Sequence, residues 1–150
     1  MKELSDQDIK NQFTHIHQFG GVVNKDSLVK LNNKAWVFNL DRKTGPGTHW
    51  VCASDVDPLY VYYFDSFGEP APNHVTQMMK ETGKRIIVNN KQVQAMESSS
   101  CGEFCIMFLK ELVVKKRKPY EIIKYFTNDM AINEKILERF FKFNPLVRNG

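Results

Sequence analysis

HWVCASDVDPLYVYYFD, residues 49–65, contains two β-prone runs around a turn. Residues 49–53 and 59–65 are rich in β-branched and aromatic side chains, which fit a pleated, half-buried surface. Between them Asp55-Val56-Asp57-Pro58 supplies turn chemistry, since aspartate side chains bond nearby backbone groups and proline presets φ. An antiparallel hairpin is therefore expected, with the start of its first strand beside the end of its second. His49 then lies next to Asp65, sixteen residues later.

Upstream, residues 35–40 (AWVFNL) read as a further strand, and 41–47 (DRKTGPG) as a loop. A short helix is expected from Ser5 to about residue 13, with Ser5 as N-cap and Asp6 and Asp8 facing the positive end of the helix dipole. Gly20-Gly21 should end that helix, and Asp26 is a candidate cap for a brief helical turn. Downstream, Pro70 and Pro72 interrupt regular structure, residues 74–80 read as a helix stopped by Gly83, and 85–88 (RIIV) as a buried strand. In CGEFCIMFLKELVVKK the apolar residues at 101, 104, 105, 108, 109 and 112 follow helical spacing on one buried face. Two more amphipathic helices are expected over 120–126 and about 132–143. Strands in the middle with helices around them give an α+β fold, a central, mostly antiparallel or mixed sheet flanked by helices, in one domain over residues 1–150.

Composition agrees with a globular chain: 42% hydrophobic and 25% charged residues over 150 positions. No apolar run approaches the roughly 18 residues of a membrane span, and the polar start MKELSDQDIKNQ is unlike a secretory signal, so membrane insertion and secretion are not expected. Lys and Arg number 21 against 17 Asp and Glu, an excess of +4 that is small for a dedicated nucleic-acid binder. Cys52, Cys101 and Cys105 lack zinc-ligand spacing and form an odd set, which argues for reduced thiols and no metal. His15-x-His17 alone is a weak metal signal, and His15, His17 and His74 read as surface or partly buried histidines.

The parts of a thiol nucleophile's site can be assembled from these elements. Cys101 stands at the first turn of the long helix, where free backbone N–H groups and the dipole favour a negative sulfur. Ser98-Ser99-Ser100 before it and Gly102 after it let the backbone turn tightly. His49 is the candidate base and Asp65 the group that fixes its tautomer; the alternative for Asp65 is a turn-stabilising role around Ser66-Phe67-Gly68. Gln94, seven residues before Cys101, can offer a side-chain amide to an oxyanion, with the Cys101 N–H; Gln92 falls on the same face of an extended segment. Cys105 and Cys52 read as packing residues.

In this order the pieces resemble the adenovirus-type maturation proteases and, more distantly, the SUMO deconjugating proteases. The resemblance rests on Gly47-Thr48-His49-Trp50, Tyr63-Phe64-Asp65-Ser66-Phe67-Gly68, Gln94, and Ser100-Cys101-Gly102-Glu103-Phe104, and it covers about residues 35–112. It implies a cysteine endopeptidase of a double-stranded DNA virus or virophage that trims capsid or core precursor proteins in the virion or the infected-cell cytoplasm or viral factory, cutting next to small residues such as glycine. It also implies that His49, Asp65 and Cys101 form a triad, that Gln94 and Gly102 line the oxyanion site, and that Trp50 is an aromatic wall covering the imidazole. No cofactor is required, although a peptide or DNA activator fits the family. Two departures stand out: no cysteine lies between Cys52 and Cys101 to take a disulfide-linked activator, and the chain is short for the family.

Lys115-Lys116-Arg117-Lys118 reads as a solvated helix end, with contact to viral DNA as the alternative. Two other functions remain open at this point: a deconjugase for ubiquitin-like modifiers using the same triad, and a catalytically silent DNA-binding or assembly module.

Overall fold

The computed structural model describes residues 3–41 and 48–147; the expected loop over 41–47 lies, apart from Asp41, outside the described residues. The chain runs α1 (Asp6–Asn11), β1 (Phe19–Val23), β2 (Ala35–Asp41), β3 (Thr48–Ser54), β4 (Tyr60–Phe64), α2 (Asn73–Lys80), β5 (Arg85–Val88), α3 (Cys101–Leu109), α4 (Pro119–Ile123) and α5 (Met130–Phe143). The strands form a mixed sheet in the order β1-β2-β3-β4-β5. Its middle is the expected antiparallel meander, with Leu40 opposite His49 and Cys52 opposite Phe64, and both edges, β1 and β5, pair parallel with their neighbours.

Because successive strand side chains alternate, the sheet separates two hydrophobic clusters. Trp50, Cys52 and Phe64 face α3, α1 and α5. Val51, Ala53, Val61 and Tyr63 face Val75, Met78 and Met79 of α2. All nine residues of α3 are buried, so the single buried face expected for this helix is corrected: it is a central helix, apolar nearly all round, packed against β3 and α5. It continues into a π-helical turn, Lys110–Val114.

α1 keeps its expected start, with the Ser5 hydroxyl accepting the Asp8 N–H at 3.1 Å and the Asp8 carboxylate accepting the Ser5 N–H at 2.9 Å. Gly20-Gly21 does not end this helix; both glycines lie inside β1. The indole of Trp36 occupies the place of a side chain at Gly20, where a Cβ would stand 2.3 Å from Cε2, and Gly21 has φ +145°. Gly20→Ala is expected to force Trp36 aside and lower stability by about 1–3 kcal/mol, the usual cost of overpacking, read as a reduced Tm. Asp26 caps no helix; it lies inside a single turn closed by the Ser27 N–H on the Asn24 carbonyl at 3.0 Å. The expectation of a buried strand at residues 85–88 is also corrected, since β5 is a sheet edge with Arg85, Ile87 and Val88 exposed.

Candidate active site

β3 begins at Thr48 and β4 ends at Phe64, so His49 and Asp65 meet at the same end of the sheet. His49 Nε2 lies 2.8 Å from Asp65 Oδ1, and both residues are buried. The same oxygen accepts the Phe67 N–H at 2.9 Å, while the Gly68 N–H donates to the Asp65 carbonyl at 2.8 Å. One carboxylate thus fills both alternatives read for it, holding the imidazole and the following turn together. Asn89 brackets its backbone: Oδ1 accepts the Asp65 N–H at 2.9 Å and Nδ2 donates to the Asp65 carbonyl at 2.8 Å. Asn89 is absent from the sequence reading, because nothing in the residues 89–100 loop marks it out.

Burial by itself would lower the pKa of His49; the hydrogen bond that Nε2 donates to Asp65, then the interaction with the Cys101 thiol, and the charges of both outweigh it and lift the value to about 9. The imidazolium is therefore the favoured form of His49 at neutral pH. Phe67 stacks on this ring, with centroids 4.7 Å apart and planes 24° from parallel. Trp50 does not cover the imidazole as expected. As the next residue of β3 it points to the opposite face, where its indole packs on Gly102. Phe67, not Trp50, is the ring stacked on the imidazole, and it is the backbone N–H of Trp50 that faces Cys101.

That backbone meets Cys101. The Trp50 N–H points at Cys101 Sγ at 3.5 Å, and Sγ lies 3.8 Å from the Thr48 carbonyl oxygen. The sulfur therefore touches the peptide groups on both sides of His49. Nε2 is taken by Asp65, so Nδ1 is the ring nitrogen left for the thiol. Gly102 is closely packed beside it: a Cβ there would stand 3.3 Å from Trp50 Cδ1, so the indole would have to give by a few tenths of an ångström.

Gln94 is fully buried in the segment leading to α3. Its Oε1 accepts the Ser66 hydroxyl, and its Nε2 donates to the Ser98 carbonyl at 2.9 Å and contacts Ser98 Oγ at 3.3 Å. Gln92 instead donates to the Gln94 carbonyl at 2.9 Å. Ser98 and Ser100 donate in turn to Glu134 of α5, at 2.6 and 3.0 Å. Cys52 and Cys105 are wholly buried, and burial, with the neighbouring Cys52 thiol, pushes the Cys105 thiol well up. A cleft of about 340 Å³ opens beside His49 and Asp65, lined among others by Leu40, Tyr63, Phe67, Pro70 and His74, so His74 belongs to its wall.

The basic run is largely paired: Lys115 and Arg117 reach Glu111 at 3.2 and 2.8 Å, and Lys118 reaches Asp57 at 3.7 Å, while Lys116 turns the chain at φ 58°. Among the described residues no cluster of three His, Cys, Asp or Glu side chains is arranged for a metal, and no helix is long and apolar enough to cross a membrane.

The chain is 28% identical over 118 residues to the protease of Bovine adenovirus C serotype 10, covering 69% of this chain and 58% of that protein. It is 30% identical over 99 residues to a protein of Acanthamoeba polyphaga mimivirus named as a thiol protease, covering 58% of this chain and 33% of that one. The chain thus spans about a third of one relative and 58% of the other, less than two thirds of each. No family model matches it. In three dimensions the crystal structure of an ASFV protease superposes on 99% of the chain and 69% of its own length, with a TM-score of 0.63 at 14% identity.

The fold is that of the SUMO-protease-like cysteine proteases. The resemblance to adenovirus-type proteases read from the motifs is shown by these relatives. Within this cysteine-protease fold, the mixed sheet carries His49 and Asp65 on one face, and the central helix delivers Cys101 from the other.

Proposed function

We propose that the chain is a viral cysteine endopeptidase acting on capsid or core precursor proteins, with His49, Asp65 and Cys101 as its triad. The observation that carries this reading is the position of Cys101 Sγ against the two peptide groups flanking His49, while Asp65 holds the far side of the same imidazole. In such a site the sulfur attacks the scissile carbonyl carbon, the C–N bond breaks, and His49 gives its proton to the leaving amine. Water then adds to the thioester, His49 takes its proton, and the adduct collapses to release the acid product and restore the thiolate beside the imidazolium. Donors at the start of α3, among them the Cys101 and Gly102 N–H groups, face the oxyanion, and the Gln94 amide joins them by exchanging its bond to Ser98. Phe67 seals the imidazole from water. Cleavage next to a small residue such as glycine is the part of this proposal that rests on the motif resemblance alone. The basic run has no part in this reading, because Glu111 and Asp57 already pair three of its charges.

The test is intact-mass labelling with a thiol electrophile, followed by cleavage of a peptide library rich in glycine. One adduct is expected, at Cys101, ahead of the buried Cys52 and Cys105, and it should be lost in His49→Ala. Labelling of wild type at Cys52 or Cys105 first, or unchanged labelling in His49→Ala, would remove the support for the triad.

A further inference from the structure

Asp65 stands one residue beyond the end of β4, where the ladders of the sheet have stopped. Toward β3 the pairing ends with Cys52 opposite Phe64, and toward β5 with Tyr63 opposite Val88. Yet Asp65 is only 2% exposed, so its backbone N–H and C=O must find partners within the protein. The Asn89 N–H continues the β4–β5 ladder by one bond, to the Tyr63 carbonyl at 3.4 Å. Beyond that point the Asn89 side chain takes over: Oδ1 accepts the Asp65 N–H at 2.9 Å and Nδ2 donates to the Asp65 carbonyl at 2.8 Å. One carboxamide thus offers Asp65 the acceptor and donor that a neighbouring strand would offer.

Nδ2 also donates to the Lys91 carbonyl at 3.2 Å. A single orientation of the amide satisfies all of these bonds, because reversing it would set its oxygen against two carbonyls. The segment that carries the amide is pressed against the turn after Asp65: Gly68 has φ +72°, and a Cβ on it would stand 2.9 Å from the Lys91 carbonyl carbon. We propose that Asn89 is a positioning residue, fixing the backbone from which the Asp65 carboxylate reaches His49. The Phe67 N–H holds the carboxylate end of Asp65 and Asn89 the backbone end, so the 2.8 Å bond to Nε2 is set from both. A hydrogen bond weakens steeply with misalignment, and releasing the backbone end weakens the bond that favours the imidazolium.

The inference rests on His49 and Asp65 working as a pair in the proposed triad, and its test reads that pair directly as well as turnover. In Asn89→Ala the His49 titration, followed by NMR of the imidazole, is expected to fall from about 9 to about 8 or below. With a glycine-containing peptide kcat should drop by about 10–10²-fold and KM change little, the scale of a small misplacement in a catalytic site. Asn89→Asp keeps the side-chain size and the acceptor for the Asp65 N–H, but puts an oxygen where Nδ2 donated to two carbonyls. Its added negative charge alone would raise the His49 value, so a fall in this variant too reports displaced geometry. If Asn89→Ala does not fold, Asn89→Asp decides by itself. A folded variant whose His49 still titrates near 9 overturns the proposal whatever its Tm: with kcat unchanged the asparagine is merely structural, and with kcat lowered the effect lies elsewhere, as at the Gln94 segment. If wild type cleaves no peptide while its His49 titrates near 9, the endopeptidase reading fails, and the imidazole titrations of the two variants still decide the role of Asn89.

Discussion

Cys101→Ala is expected to slow peptide cleavage by about 10⁴–10⁶-fold, the range seen when a covalent nucleophile is removed, and to leave the fold standing. The sulfur is buried, but its contacts are a 3.5 Å approach of the Trp50 N–H and a 3.8 Å approach to the Thr48 carbonyl, neither of which holds a secondary-structure element in place. An alanine methyl is smaller than the thiol it replaces, and it leaves the His49 imidazole held by Asp65. Purified Cys101→Ala should therefore melt close to wild type while its turnover of a glycine-containing peptide falls to the uncatalysed background. Residual cleavage within tenfold of wild type would show that another group is the nucleophile.

Asp65→Ala should have the second largest effect, about 10²–10⁴-fold in kcat, because it removes the partner that orients the imidazole and stabilises its charge. It also leaves the Phe67 N–H without its acceptor, loosening the ring stacked on His49. The clearest readout is the titration of His49 itself. Burial pulls the pKa down and Asp65 supplies the largest opposing contribution, so its loss should bring the value from about 9 toward 6.5 or lower, measured by NMR of the imidazole. A value still near 9 in the variant would mean that Asp65 does not charge the ring. The raised value has a sign for stability: the folded state binds this proton more tightly than the unfolded one. Its contribution is complete below about pH 6.5 and is lost as pH rises through about 9, so wild type should lose more stability than Asp65→Ala over that window.

The hairpin that joins His49 to Asp65 was legible because period-two alternation and a turn with two aspartates and a proline are local signals. Cys101 at a helix start was legible for the same reason, since its apolar spacing begins at that residue. What escaped the sequence depended on distant partners. Residues 85–88 were read as buried from their composition, yet exposure depends on whether a sixth strand covers them, which no local pattern records. Gly20-Gly21 resembled a helix stop because the Trp36 indole that requires a glycine is sixteen residues away. Trp50 is different: the alternation that placed His49 already assigned its neighbour to the other face, so that signal was present in the strand. Phe67 also had a signal, lying two residues past Asp65 in the tight turn closed by Gly68. Asn89 had none, being 24 positions from Asp65.

The two faces of the sheet carry unequal shares of the reactive centre. His49 and Asp65 come from one local ribbon, while Cys101 sits on a helix all nine of whose residues are buried. Chemical competence is therefore a property of the finished molecule. Pairing His49 with Asp65 is thus a matter of one hairpin, whereas the place of Cys101 depends on how α3 packs against β3 and α5.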